Sequence, residues 1–527
     1  MKALHFSWVI PALFLPSFGS QPQPFHEWID GQIEAKAIAA GEEISGTCDD
    51  ATFLRRAYLD FAGTIPAPED VLAFVADPSG TKRTALVDKL LDAPEYAARM
   101  ADAFHVMLME RRGPDEKWQK YLAESFAKNK PWDQIAREIL NPDFMDEATQ
   151  GAGYFITNRL SKVGQQDTDY PGLTRDVGRL FMGVDLQCAQ CHKHLTVDDY
   201  DQIDFNGLYM VFKNLKHNNP NAYYKTPYVT EGLIDKGYEF TSVFSGKSKT
   251  TPPRIPFGKE IPIPELAKDD LWEVAPDRKK RIEGIPKFKP LLEVATNLTH
   301  RDNPWFARNA ANRLWFLLMG RGIIHPLDLA HSKNPPSHPE LLDRLAQEFV
   351  AHNHDIKWFL RELALTRTYQ LSSVLPSKDA NATPSLFTTA IERPLTANQL
   401  RDSFLKATAE PRTKELDEAF HNAFANPPKE PELQVNPTLR SALFLRNSTF
   451  VDTALQPKDG NLLKTLENTL TPDELANTLF LTILTRQPDN YERQLVSEHL
   501  ASAQDRTQSL QQLAWSLLAS MEFFANH

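Results

Sequence analysis

The chain has 527 residues, 42% apolar and 10% aromatic, with 58 basic against 69 acidic side chains and a formal charge of −11. This composition excludes a disordered chain, and the length exceeds what one hydrophobic core comfortably serves, so two or more domains are expected. The acidic balance repels phosphate backbones and argues against nucleic acid as a partner; the short basic run Arg278-Lys279-Lys280-Arg281 reads as a solvated face in a charged linker.

At the N-terminus, Lys2 precedes an apolar run from Phe6 to Phe18, and Ser17-Phe18-Gly19 supplies small residues for a cut after Gly19. Residues 1–19 therefore read as an export signal, with an uncleaved anchor as the alternative. The run is short for a bilayer span, and Pro11 and Pro16 interrupt it. No later stretch approaches a membrane span, so the mature chain is expected in the periplasm or outside the cell. Three cysteines make no disulfide scaffold, and Cys48 reads as a buried thiol.

Helix-start chemistry recurs along the chain. Asp92 with Glu95, Ser337 with Glu340, Thr396 with Gln399 and Thr471 with Glu474 each place a side-chain acceptor three residues before a carboxylate or amide. Apolar spacing of three and four follows, as at Leu341, Leu342, Leu345 and Phe349. The fold is predicted to be mainly α. An N-terminal helical module spans 20–217 and a C-terminal one spans 291–527, with a loop at Pro427–Glu432. Between them, 218–290 is a bridge rich in Pro and Gly, with short β-prone runs such as Tyr238 to Phe244.

The first module carries Cys188-Ala189-Gln190-Cys191-His192, the attachment pattern of a c-type haem. Two thiols at this spacing can each form a thioether to a porphyrin vinyl group, and the adjacent imidazole can ligate the iron. Val177, Leu180, Phe181, Val184, Cys188 and Cys191 follow helical spacing, which predicts a helix carrying both thiols on its core-facing stripe. Export agrees with covalent haem attachment. Two other readings compete: a Cys188–Cys191 disulfide or redox pair, and a zinc site from Cys188, Cys191, His192 and His194. For a sixth iron ligand, Met210 and His217 lie downstream on an expected helix and Met182 upstream; Met210 is the candidate taken. His194 is too near His192 to reach the opposite face, and is assigned to a propionate or substrate instead.

Several separated strings resemble one family. They include Asp49 to Pro66, Asn129-Lys130-Pro131-Trp132-Asp133, and Leu180-Phe181-Met182-Gly183-Val184 leading into the cysteines. In the second half they include Asp302 to Arg308, Asn312-Arg313-Leu314-Trp315, Asn334 to Leu342, Arg367 to Ser373, Arg393 to Ala397 and Glu522 to His527. Together they resemble the planctomycete-type cytochrome-like two-module family, domains of unknown function 1549 and 1553 in that order. The resemblance implies an exported protein with one covalent haem c. It departs after the motif, where relatives commonly read Asp-His-Pro-Phe and this chain has Lys193-His194-Leu195-Thr196, so His194 alone carries over.

In the second module His338 stands behind two prolines at a helix start, where anions or substrate could bind. Arg308, Asn312 and Arg313 fall one turn apart and could form a polar cluster; structural ion pairing and a capping histidine are the plainer readings. His527 could reach back into a site or fray. The expected function is an exported haem-dependent oxidoreductase or redox partner. A redox partner protein or, from the family's usual company, a carbohydrate substrate is the expected partner. The alternatives are a binding or assembly protein with a structural haem, and a haem-independent carbohydrate-active hydrolase or lyase.

Overall fold

The computed structural model describes residues 23–162, 164–193, 197–277, 279, 283–377, 380, 382–429, 438–469 and 471–527. The expected export signal, His194, most of the basic run and much of the Pro427–Glu432 loop lie outside the described residues.

The fold is mainly α, with short two-stranded antiparallel sheets. Its helices start where local chemistry satisfies their free amides. Asp49 accepts from the Thr52 amide ahead of the helix Asp50–Phe61, and Asp169 accepts from Gly172 ahead of Tyr170–Met182. Thr396 and Gln399 form the full reciprocal cap of Ala397–Thr408, and Thr471 caps Pro472–Leu484. Two expected caps are different. Asp92 closes the helix Lys82–Asp92, and Ala93 joins it to Pro94–Met109 without a side-chain cap. His338, not Ser337, occupies the cap position of Pro339–Ala351, and the Ser337 hydroxyl lies 3.0 Å from the His338 ring Nδ1 instead of capping the helix. The stripe Leu341, Leu342, Leu345 and Phe349 is buried as its spacing requires.

The cores are drawn along a different line from the sequence modules. One continuous cluster runs from Ile29 to Ala364 and adds Tyr369, Phe387 and Leu481, so the helices Pro290–Leu298, Pro304–Met319, Pro339–Ala351 and Ile356–Leu365 pack into the same core as the first module. A second cluster runs from Leu395 to Phe523 and takes Leu59 and Ile65 from the helix Asp50–Phe61 and the loop after it. The bridge lies over the first core as hairpins. Leu215–Asn218 pairs with Tyr228–Glu231, which puts His217 on a strand where a helix was expected. Tyr238–Thr241 pairs with Ser248–Thr251, so the β-prone run ends at Thr241 and Val243 and Phe244 form the turn. Glu231 ties the bridge to the second module by accepting the Leu291 amide at 2.9 Å. Its desolvation lifts the carboxyl to about 7.

The C-terminal residues are pinned. Ala525–Asn526 pairs with Arg393–Pro394, and the His527 carbonyl accepts from Arg56 Nε at 3.1 Å. His527 thus reaches back into the protein. Among the described residues no helix is long and apolar enough to cross a membrane.

Candidate functional site

The Tyr170–Met182 helix leads toward the cysteine motif but does not contain it. It ends at Gly183, whose φ of 73° is left-handed backbone that a residue lacking Cβ adopts freely. Val184 then bridges Leu329, and Cys188–Gln190 forms a separate 3-10 turn. The expected helix from Val177 through Cys191 is therefore broken, and the thiols do not continue its buried stripe. Cys188 and Cys191 are both free and exposed. Cys191 follows this turn as its C-terminal cap, with its amide directed back to the Cys188 carbonyl.

Backbone and side-chain hydrogen bonds hold this loop. The Cys188 carbonyl accepts from the Cys191 and His192 amides at 3.4 and 3.3 Å, and Arg175 Nη1 donates to Gln190 Oε1 at 2.7 Å. The Val243 amide donates to the Cys191 carbonyl at 3.2 Å. That contact lays the hairpin turn against the motif, and the Phe244 ring sits 4.4 Å from the His192 ring. Val243 and Phe244 are each 66% exposed, an apolar surface with no protein cover. His192 Nδ1 lies 2.6 Å from the Lys193 carbonyl oxygen. A proton on Nδ1 there leaves Nε2 with its lone pair free to ligate, the tautomer metal-bound imidazoles use. Two accessible thiols three residues apart, an imidazole held beside them and an apolar ledge make a donor set that fits a covalent haem. Met210 is buried in the first core on Gln202–Lys213. Cys48 is buried as expected, and desolvation raises its thiol pKa.

The second-module candidates do not form one cluster. Arg308 turns to Asp343 on the next helix at 2.9 Å. Asn312 clasps the Ile324 backbone, donating to its carbonyl at 2.9 Å and accepting from its amide at 3.0 Å. His338 is buried, with Nδ1 3.0 Å from Ser337 Oγ and Nε2 without a hydrogen bond. Burial, aided by Lys36, pushes its pKa down to about 4, so the ring is neutral and offers no charge to an anion.

Arg313 joins a buried network that spacing did not reveal. Its guanidinium binds the Asp328 carboxylate, the Asn309 side chain at 3.1 Å and the Arg179 carbonyl at 2.9 Å. Arg179 reaches Glu110 at 2.6 Å, Asp176 at 3.0 Å and Asp328 at 3.1 Å. Arg112 joins Glu110 at 2.7 Å to Asp176 at 3.0 Å, and Arg159 Nε donates to Asp176 at 2.7 Å. Burial would raise the Asp176 carboxyl, but Arg159, Arg179 and Arg112 overrule it and hold it at about 2. Burial outweighs Asp176 at Arg159 and draws that guanidinium down to about 10. Glu110 and Arg111 both take positive φ, 46° and 53°, to turn the chain into this network. The only sequence signal is the charged run Glu110-Arg111-Arg112 directly after an apolar helix end.

The network borders a cleft of about 410 Å³ where both modules meet the C-terminal residues. Arg99 and Asp102 on Pro94–Met109, Leu180 on Tyr170–Met182, and Phe316 on Pro304–Met319 contribute to its walls, with Ile391 and Asn526 from later in the chain.

Residues 28–217 match the family described as PSCyt2, protein of unknown function (DUF1549), and residues 291–432 match the one described as PSD1, protein of unknown function (DUF1553). No curated protein and no solved structure matches the chain. With both modules present in this order, the chain belongs to the two-module family in which a DUF1549 domain precedes a DUF1553 domain.

Proposed function

We propose that this is an exported c-type haem protein serving as a haem-dependent oxidoreductase or a redox partner. The observation that carries the reading is the Cys188–Cys191 turn. Both thiols are free and exposed, and Val243 and Phe244 offer an apolar ledge beside them. Cys188 and Cys191 would hold the porphyrin through thioethers, each formed by adding S–H across a vinyl group with no net oxidation. His192 would supply the axial nitrogen, with the Lys193 carbonyl fixing its tautomer. An iron porphyrin bound there supplies one-electron chemistry. The residues' own part is to bind, orient and partly cover it at the protein surface, a placement suited to exchange with another molecule.

The test is intact mass and absorbance of the full chain expressed with a cytochrome maturation system and an export route. One haem added covalently, and lost in Cys188→Ala/Cys191→Ala, is the expected result. A spin-state change with peroxide, or electron transfer to a dye, separates an oxidoreductase from a structural haem. A colourless protein of unmodified mass, or sulfurs bonded to each other or to zinc, ends the proposal.

A further inference from the structure

Four arginines line the inter-module cleft: Arg99, Arg179, Arg313 and Arg393. Three have committed partners. Arg179 and Arg313 belong to the carboxylate network, and Arg393 Nη2 donates to Asp60 Oδ2 at 2.8 Å. Arg99 differs. It is 7% exposed, its Nε has no hydrogen-bond partner, and its guanidinium makes no hydrogen bond or ion pair with a described residue. Asp60 lies within its field but is already occupied, accepting also from the Tyr369 hydroxyl at 2.8 Å and from Asn526 at 3.0 Å. Asp102, one turn along the same helix, lends a field without a hydrogen bond.

Asp60, Asp102 and Asp402 offset the charge from a distance while Arg393 opposes it, but the buried Nε has no acceptor, so the neighbourhood has room for one more. The Arg99 stem is also held in place. It passes over Gly63, where an added Cβ would stand 3.1 Å from Arg99 Cδ on a backbone with φ of 76°. A fixed planar fork facing open volume is pre-organised for a bidentate oxyanion. The rest of the wall selects which one. Leu180, Phe316, Leu327 and Ile391 are apolar, and Asp102 and the exposed Glu392 repel additional negative charge. One spare fork and a greasy remainder suit a single carboxylate on an apolar body better than a phosphate dianion.

We infer that the cleft between the modules is a binding site for a small monocarboxylate, with Arg99 as its anchor. The site is distinct from the cysteine loop, though the Tyr170–Met182 helix serves both: Arg175 holds the loop, and Arg179 and Leu180 line the cleft. The inference does not depend on haem.

Thermal melts of the full mature chain, titrated with acetate, butyrate, hexanoate and benzoate, test it. Benzamide serves as the neutral counterpart and inorganic phosphate as the competing oxyanion. At least one of the larger acids is expected to raise the melting temperature saturably, with benzamide and phosphate at least tenfold weaker. Arg99→Gln should weaken that acid tenfold or more, and Cys188→Ala/Cys191→Ala should bind it as the wild type does. Ala103→Trp, which fills the cleft from a half-exposed position, should abolish the shift and decides the matter if Arg99→Gln does not fold. No shift with any acid, an equal shift with phosphate or benzamide, or undiminished binding by Arg99→Gln would overturn the inference.

Discussion

The cysteine loop and the arginine–carboxylate network both draw on the helix Tyr170–Met182, through the neighbouring residues Arg175 and Asp176, yet they are built by opposite means. The loop is a short turn held mainly by neighbours in sequence and one hairpin contact, and its reactive atoms face solvent. The network assembles Glu110, Arg112, Arg159, Asp176, Arg179, Arg313 and Asp328 from three helices and the loops around them, in a buried site. Exposed chemistry of the first kind adds little to stability and is ready to react. Buried charge of the second kind is tied to the fold, because each member's desolvation is offset only while its partners stay in place.

The largest test of that contrast is Asp176→Ala. It strands Arg159 and removes a partner from Arg112 and Arg179, so a loss of about 3–5 kcal/mol is expected in denaturant melts. A loss below about 1 kcal/mol would put the network on a par with exposed ion pairs. Thiol labelling compares the regions next. In haem-free protein Cys188 and Cys191 should react at once, and buried Cys48 roughly a hundredfold or more slower, since it waits on local opening. Three equal rates would break the comparison.

Acid supplies a third test. The folded Asp176 carboxyl is lowered from 3.8 to about 2, so its contribution is fully present above pH 3.8 and is lost as pH falls toward 2. About 2 kcal/mol should disappear across that window, and Asp176→Ala should lack this arm of the stability profile. The smallest effect belongs to the loop. Cys188→Ala/Cys191→Ala should change the stability of haem-free protein by no more than about 0.5 kcal/mol. A larger change would mean that the thiols pack as well as react.

Local chemistry was legible where it acts locally. The Thr396–Gln399 cap, the Leu341–Phe349 stripe and the cysteine motif are all short-range patterns, and the first two are found as read. Spacing failed between Val177 and Cys191, because six residues can match a helical period while Gly183 offers an inexpensive stop in their midst. It failed at Ser337 too, where the helix starts one residue later and the hydroxyl meets the His338 ring. The cleft was not legible: Glu110 and Asp328 are far apart in sequence, and no spacing rule links them.

By itself, the sequence determined the helical class, the order of the two modules and the presence of paired thiols beside an imidazole, because periodicity, capping and motif spacing are properties of neighbouring residues. Only the tertiary structure decided that the thiols are exposed, that the second module's first helices share the first module's core, and that Arg99 lines the cleft without a hydrogen bond to a described residue. Burial and charge pairing depend on which distant segments meet, and that is fixed by packing.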